Sequence, residues 1–285
     1  MRPFPADPAF AERFAPYLRQ QRGERSMVRE GVRLLAQELD VPERVAMTEL
    51  LARDIWPERF SRCRGAFSAQ ALSALLSTRV LLAGCGGLGG HAAALLARMG
   101  VGSLVLCDPD RFEESNLNRQ LFCTEQALGR FKAEVCRDGI LSIASYMDVE
   151  ARTVALNEDN LPQMLKGVDV VMDCLDSIAR KKMLEEAANR AGVPCVQGSV
   201  ARNEGLALFD GSGDMPFSLA YPGEDAGNRE GAPMNTHVLT VAGTACLMVS
   251  LFMRRLCRNR NDDGKLFHLD LSIPELETLT ILPRL

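Results

Sequence analysis

No two of the nine cysteines stand three residues apart: Cys63, Cys85, Cys107, Cys123, Cys136, Cys174, Cys195, Cys246 and Cys257. Their number is odd and most lie in apolar stretches. That disfavours both a disulfide framework and a zinc site, and fits reduced, buried thiols. Histidine is also scarce. His91, His237 and His268 are far apart and lack ligand spacing, and His91 reads as a satisfied residue on a helix surface. Only five lysines occur (132, 166, 181, 182 and 265) against twenty-eight arginines, so each lysine is a less casual occurrence. Nothing resembles a basic arm or an RNA-reading motif, and with a net charge of −4 no global field draws nucleic acid or anionic lipid. The first seven residues hold no apolar signal core. The most hydrophobic run, Val238 to Met253, is broken by Thr240, Gly243, Thr244 and Ser250, and falls short of the roughly 20 residues of a bilayer span. A buried helix is expected there. Neither a nucleic-acid nor a membrane partner is expected, and the location predicted is cytoplasmic.

The 285 residues, 47% apolar, suffice for one large domain with a small appendage. Residues 1–57 carry apolar residues at helical spacing over Ala9–Gln21, Met27–Leu39 and Val45–Ile55, which predicts a helical N-terminal extension. From Arg79 the pattern alternates strand and helix as far as Gly198, the signature of a parallel sheet covered on both faces. After Ser199 it changes. Gly205–Phe209 reads as a strand, and Asp210–Asn235 as a long loop without apolar period. Thr236 to Leu256 then reads as an apolar helix, and Leu266–Leu271 and Leu276–Leu282 as closing strands. The fold class is α/β, a Rossmann-like doubly wound mixed sheet.

Between the first strand and the first helix of the alternating region stands Gly84-Cys85-Gly86-Gly87-Leu88-Gly89. Glycines there let the backbone turn tightly and approach a phosphate, and the helix N-terminus offers free N–H groups. Asp108 ends the next strand, nineteen residues after Gly89, where a carboxylate can bond a ribose hydroxyl. On this motif alone, NAD and ATP both remain open. Past Asp108 come Asp110, then Ser115-Asn116-Leu117-Asn118-Arg119-Gln120, then Lys132. Two fixed cations suit a triphosphate, on which charge builds as pyrophosphate leaves, and hydride transfer does not need them. Further on, Asp173-Cys174-Leu175-Asp176 ends an apolar strand, and a carboxylate at such a place can hold magnesium against phosphates.

In these residues the sequence resembles the ThiF/MoeB/HesA family, the prokaryotic relatives of ubiquitin-activating enzymes. The resemblance covers Arg59 to Leu285 and includes Gly198-Ser199-x-x-Arg202-x-Glu204-Gly205. It implies an adenylation domain over 58–285, with an ATP-binding half (79–198) and a carrier-binding half (199–285) after a crossover loop. The activity implied is attack by the C-terminal carboxylate of a ubiquitin-like sulfur carrier ending in Gly-Gly on the α-phosphate of ATP. By position, Gly84, Gly86, Gly87, Leu88 and Gly89 would cradle phosphates, and Asp108 would bind ribose. Asp110 and Gln120 would line the nucleotide, Asn116, Arg119 and Lys132 would stabilise charge on its phosphates during displacement, and Asp176 would hold Mg2+. Arg59-Phe60-Ser61-Arg62 looks like the segment whose second arginine, here Arg62, reaches the ATP of the other subunit, which implies a homodimer.

Two departures follow. The family's zinc-binding Cys-x-x-Cys pairs would fall at 215–222 and 283–285, where no cysteine stands, so no zinc is expected. No cysteine lies between Ser199 and Asn235 either, and Cys195 and Cys246 read as core residues. That implies adenylation without an enzyme thioester. An NAD-dependent oxidoreductase and adenylation of a non-protein carboxylate are the alternatives. The resemblance places Asp270, at the end of a predicted late strand, in the carrier half, and Arg202 there reads either as a residue steering the carrier tail or as a structural ion pair.

Overall fold

The structure, a computed structural model, describes residues 12–211, 216–220, 235–257, 265–273 and 275–280. The chain forms two compact units, Met1–Thr78 with Met99–Gly102, and Arg79–Arg98 with Ser103–Leu285.

In the first unit two of the three helical spans expected over 1–57 are helices, and short strands accompany them. The unit holds three strands, β1 (Leu18–Gln21), β2 (Glu24–Met27) and β3 (Ile55–Pro57), together with helices α1 (Arg29–Leu39), α2 (Glu43–Leu51) and α3 (Ala69–Ser77). The helical period over 9–21 breaks at a two-residue hairpin turn, because Arg22 and Gly23 both take positive φ, 53° and 83°. Such a turn matches the twist of paired strands. β1 and β2 pair antiparallel across it, and β3 lies parallel to β2. Ile55 belongs to β3 rather than to a helix, since Asp54, at φ 53°, ends the helical run. The start of the predicted Ala9–Gln21 helix lies outside the described residues. Ser68 caps α3 by accepting the Ala71 N–H at 3.1 Å. Phe14, Met27, Leu35, Leu50, Phe60 and Leu72 close this unit's core.

The second unit is built on an eight-stranded sheet, ordered β11-β10-β9-β8-β7-β4-β5-β6. β4 (Arg79–Ala83), β5 (Ser103–Cys107), β6 (Asp148–Arg152), β7 (Val170–Asp173) and β8 (Cys195–Ala201) run parallel. β9 (Glu204–Asp210), β10 (Lys265–Asp270) and β11 (Glu275–Thr280) continue antiparallel. β4, β5 and β7 read as unbroken apolar runs because both their faces are covered. The helices are α4 (Gly87–Met99), α5 (Lys132–Ile143), the short α6 (Leu161–Met164) and α7 (Ile178–Ala191). Beyond them come α8 (Pro216–Ala220) and α9 (Val238–Leu256). Leu81, Val105, Leu161, Val171 and Leu184 join one core.

By length and composition α9 could cross a membrane, but it packs Val241, Ala245 and Met248 inward, against β8 and β9. Cys246, expected in the core, is exposed, because it falls off that inward face. Five residues of the predicted long loop, 216–220, form α8, and 212–215 and 221–234 lie outside the described residues. The described part of the predicted last strand falls in β11, and 281–285 lie outside the described residues.

β4 is the pivot of the sheet. β5 lies on one side of it and β7 on the other, so the order reverses there. In open α/β sheets such a reversal leaves a crevice outside the carboxyl ends of the strands on either side, here β4 and β7, and ligands are received there.

Candidate active site

The glycine loop leaves β4 at that crevice. Gly84 takes φ 92°, a conformation that side chains rarely adopt. Its Cα faces the Cys174 carbonyl so closely that a Cβ would lie 2.8 Å from the oxygen. The loop then turns into α4, and Gly90 N–H donates to Gly86 O at 2.9 Å.

Asp108 holds the loop from the next strand. Its carboxylate, 5% exposed, accepts the Cys85 N–H at 2.7 Å on one oxygen and the Asp110 N–H at 2.8 Å on the other. Burial pushes its pKa up, and the two N–H donors and Lys132 pull against the shift. Each oxygen keeps a further lone pair for a ligand hydroxyl.

Lys132 opens α5 and is nearly buried. Its ammonium lies 3.0 Å from Asp110 Oδ2, and its N–H donates to Asp110 O at 2.9 Å. One residue therefore fixes both ends of the lysine's approach. Asn116 is buried in a 3₁₀ turn (Glu114–Asn116), where it and Glu113 cap the turn reciprocally. Arg119 donates from Nη1 to Ser115 O at 2.7 Å and to Asn118 Oδ1 at 3.0 Å, which pins its guanidinium to its own loop. Gln120 is buried, with no hydrogen-bond partner for Oε1 among the described residues, and its amide lies in van der Waals range of a Cβ built on Gly86. Gly87 adjoins Val241 at the head of α9 and the Arg119 carbonyl, and Leu88 is buried.

Asp176 is exposed, on the turn between β7 and α7. It is the carboxylate open to a metal there, and among the described residues no three His, Cys, Asp or Glu side chains cluster as a ready metal cage. Arg62 lies exposed in the first unit, in the 3₁₀ turn Glu58–Cys63 beside the buried Phe60. The cradle residues from Gly84 to Lys132 belong to the second unit. Arg202 sits at φ 53° in the turn between β8 and β9, where its carbonyl accepts from Thr240 Oγ1 at 3.0 Å. Asp270 caps the turn after β10, accepting from Ser272 N at 2.7 Å and from its hydroxyl at 2.6 Å.

His91, expected on a helix surface, is half-buried, and its Nε2 has no hydrogen-bond partner among the described residues. Burial lowers its pKa, against a hydrogen bond with the Arg119 backbone. The thiols beside the cradle are poor nucleophiles. A bond with Cys136, together with burial, pushes the Cys85 thiol well up, and burial raises Cys107 to about 12. Burial raises Cys174 as well.

Under the crevice lies a buried polar group of which sequence reasoning had singled out Asp173 alone. Asp173, Lys181, Glu185 and Gln197 are all at most 3% exposed. The scarcity of lysine was the one signal pointing at Lys181. Glu185 accepts the N–H groups of Phe217 and Ser218, each at 2.9 Å, and the Ser218 hydroxyl, and so holds the start of α8. Glu185→Ala strands the buried Phe217 N–H, at an expected cost of about 1–3 kcal/mol, and the part-buried Ser218 N–H, which water can reach at a smaller cost. Burial raises the Glu185 pKa, with the Ser218 hydroxyl and the two N–H groups opposing. A carboxyl raised in the folded chain binds its proton before the unfolded chain does as pH falls. Its contribution therefore rises as pH drops from above the raised value toward the ordinary one of about 4.3. Denaturant melts at pH 7 and 5 should show a smaller acid-side gain for Glu185→Gln than for the parent.

A family model described as the ThiF family matches residues 60–284. Adenylyltransferase and sulfurtransferase MOCS3 of Drosophila persimilis is 34% identical over 157 residues, 55% of this chain and 35% of that protein. Adenylyltransferase and sulfurtransferase uba4 of Neosartorya fischeri is 35% identical over 159 residues, 56% of this chain and 29% of that protein. The chain thus spans about a third of the length of these curated relatives. Among solved structures, E. coli MccB with MccA-N7isoASN aligns at TM-score 0.66 and 17% identity, over 80% of this chain and 72% of that one. At that identity the likeness is one of fold.

Proposed function

The chain belongs to the ThiF family, and on that footing we propose that it is an adenylyltransferase that activates the C-terminal carboxylate of a small ubiquitin-like sulfur carrier with ATP and Mg2+. A carboxylate oxygen attacks the α-phosphorus, the bond to the bridging oxygen breaks, and pyrophosphate leaves the acyl-adenylate. The observation that carries the reading is Lys132, a nearly buried ammonium locked to Asp110 next to the loop that Asp108 holds. A fixed cation in a partly dry site stabilises the charge that develops on departing phosphates. NAD-dependent hydride transfer would use the same loop and leave Lys132 and Arg119 idle. Relatives named adenylyltransferase and sulfurtransferase support the same reaction class.

Asp176 suits Mg2+, which is held by one or two carboxylates and completes its shell with water and phosphate oxygens. When bound, the ion would neutralise phosphate charge. Arg62 would complete the site from a second copy of the chain, making the active form a homodimer. Exposed thiols among the described residues are Cys246 and Cys257, on α9 and at its end. Neither lies between Ser199 and Asn235, so the product is released as an acyl-adenylate without an enzyme thioester.

ATP–pyrophosphate exchange tests the reading. Exchange should appear with a carrier ending in Gly-Gly and vanish when its last glycine is removed, with no thioester adduct by intact mass. Exchange with a small carboxylic acid and none with carriers would move the substrate to the non-protein alternative. Binding of NAD in place of ATP would overturn the adenylation reading altogether.

A further inference from the structure

Below the crevice, an ammonium is buried where sequence alone assigned no role. Lys181 stands in the first turn of α7, and its N–H bonds back to Ser177 O at 2.9 Å. Its side chain turns inward to 4% exposure and donates from Nζ to Gly198 O on β8 at 2.6 Å and to Asp173 Oδ1 at 3.3 Å. Asp173 ends β7 and is wholly buried. The same Oδ1 accepts the Leu175 N–H at 3.0 Å, a side-chain bond two residues along that fixes a turn. That turn runs from Cys174 to Asp176. Its start is tied to β4, since Cys174 N–H donates to Ala83 O at 2.9 Å, and the Cys174 carbonyl faces Gly84. One carboxylate oxygen therefore joins the ammonium, the turn that bears Asp176 and the wall of the glycine cradle.

From this geometry we infer that Lys181 is a positioning residue for the adenylation site: with Asp173 it sets the Cys174–Asp176 turn, and so the Asp176 carboxylate, against the phosphate cradle. The inference rests on the adenylation reading for its substrate, but not for its geometry. A stabilising role does not account for the pair. Burying two charges costs about as much as their attraction returns, and apolar residues of similar volume often replace such pairs without loss. This pair is also incompletely satisfied. Among the described residues Asp173 Oδ2 has no hydrogen-bond partner, and neither has the side-chain amide of Gln197, the residue in register with Asp173 on β8. What the charges add is direction. Lys181 ties β7 to β8 and holds the carboxylate in the orientation that Leu175 needs. Groups that orient a metal-binding residue in this way govern metal affinity and rate.

The test compares Lys181→Met, Lys181→Arg and the double variant Asp173→Asn/Lys181→Met. The single methionine variant leaves a buried carboxylate alone and can fail to fold. The double variant removes both charges at nearly constant shape. Calorimetry with a non-hydrolysable ATP analogue, titrated with Mg2+, reads the position of Asp176 without any acceptor carboxylate. The double variant is expected to melt within a few degrees of the parent. It should need about 10- to 100-fold more Mg2+ for half-maximal analogue binding, and kcat for pyrophosphate exchange should fall by a similar factor with the carrier KM little changed. Lys181→Arg, which can still donate to both oxygens, should recover part of the loss. A folded double variant with the parent's Mg2+ dependence and kcat would overturn the inference. So would a double variant that unfolds, since the pair would then be carrying stability. If the parent exchanges pyrophosphate with no carboxylate, the adenylation reading fails, while the Mg2+ dependence of analogue binding still decides the role of Lys181.

Discussion

Lys132→Met should lower kcat for ATP–pyrophosphate exchange by about 100- to 1,000-fold, the usual cost of removing one preorganised group that faces transition-state charge. The ground-state affinity for ATP should change far less. The Lys132 side chain is 10% exposed, so its ammonium acts where water screens little, and Asp110 fixes it at 3.0 Å before substrate arrives. Charge builds mainly as the bond to pyrophosphate stretches, so the interaction strengthens in the transition state and its loss appears in kcat. The fold should survive, because the Asp110 side chain is 64% exposed and can be hydrated once its partner is gone. Lys166→Met, at an exposed lysine in the same unit, is the control for loss of a charge as such and should exchange like the parent. Stopped-assay kinetics over a range of ATP concentrations separate the two parameters. A Lys132→Met enzyme with the parent's kcat would remove Lys132 from the chemistry and leave Arg119 as the cation to pursue.

The parts of this site that were legible in the sequence are those written locally. A glycine loop between an apolar strand and a helix, with Asp108 at the end of the next strand, is one βαβ unit. Its spacing is enough to place the cradle at the sheet's pivot. Parallel strands buried on both faces announce themselves as apolar runs, and β4, β5 and β7 were found that way. The first unit resisted because its strands are three or four residues long. β1 and β2 are also largely exposed, so they carry no alternation strong enough to outweigh a helical period. Long-range partners were invisible for a different reason. Asp108 reads as a ribose ligand from its position, yet its bond to the Cys85 N–H joins residues 23 apart. Lys181 meets Gly198 across 17 residues, and Glu185 meets Phe217 across 32. No motif records such pairs, since they arise only when the sheet brings β7, β8 and the start of α8 together. Cys246 shows the limit of apolarity as a guide to burial. It sits in the most hydrophobic run of the chain and still faces outward, because a helix against one sheet has only one inner face.

Gly89→Ala should abolish nucleotide binding, whereas Gly90→Ala, one residue further along α4, should leave it close to the parent. The contrast isolates geometry from composition, since both changes add a single methyl to the same helix. At Gly89 that methyl would overlap the Gly84 carbonyl oxygen and lie 2.8 Å from its carbon and 3.1 Å from Leu82 Cδ2. Neither neighbour can yield cheaply. Leu82 is fully buried in β4, and Gly84 is held by its N–H bond to Cys107 O at 2.8 Å and by its contact with the Cys174 carbonyl. The loop would have to open away from α4, and the N–H groups that it aims at phosphate would turn with it. Displacing Gly84 would also press on the turn that carries Asp176, so the binding and metal functions should fail together. At Gly90 the added methyl would meet Phe122 and Leu121 atoms at 3.5–3.8 Å, ordinary packing distances. Alanine also favours a helix over glycine by about 0.8–1.0 kcal/mol, so Gly90→Ala should melt no lower than the parent. Equilibrium binding of a fluorescent ATP analogue and thermal melts on both variants provide the readout. Full nucleotide affinity in a folded Gly89→Ala chain would mean that the loop between β4 and α4 is not the phosphate cradle, and the site would have to be sought elsewhere on the sheet.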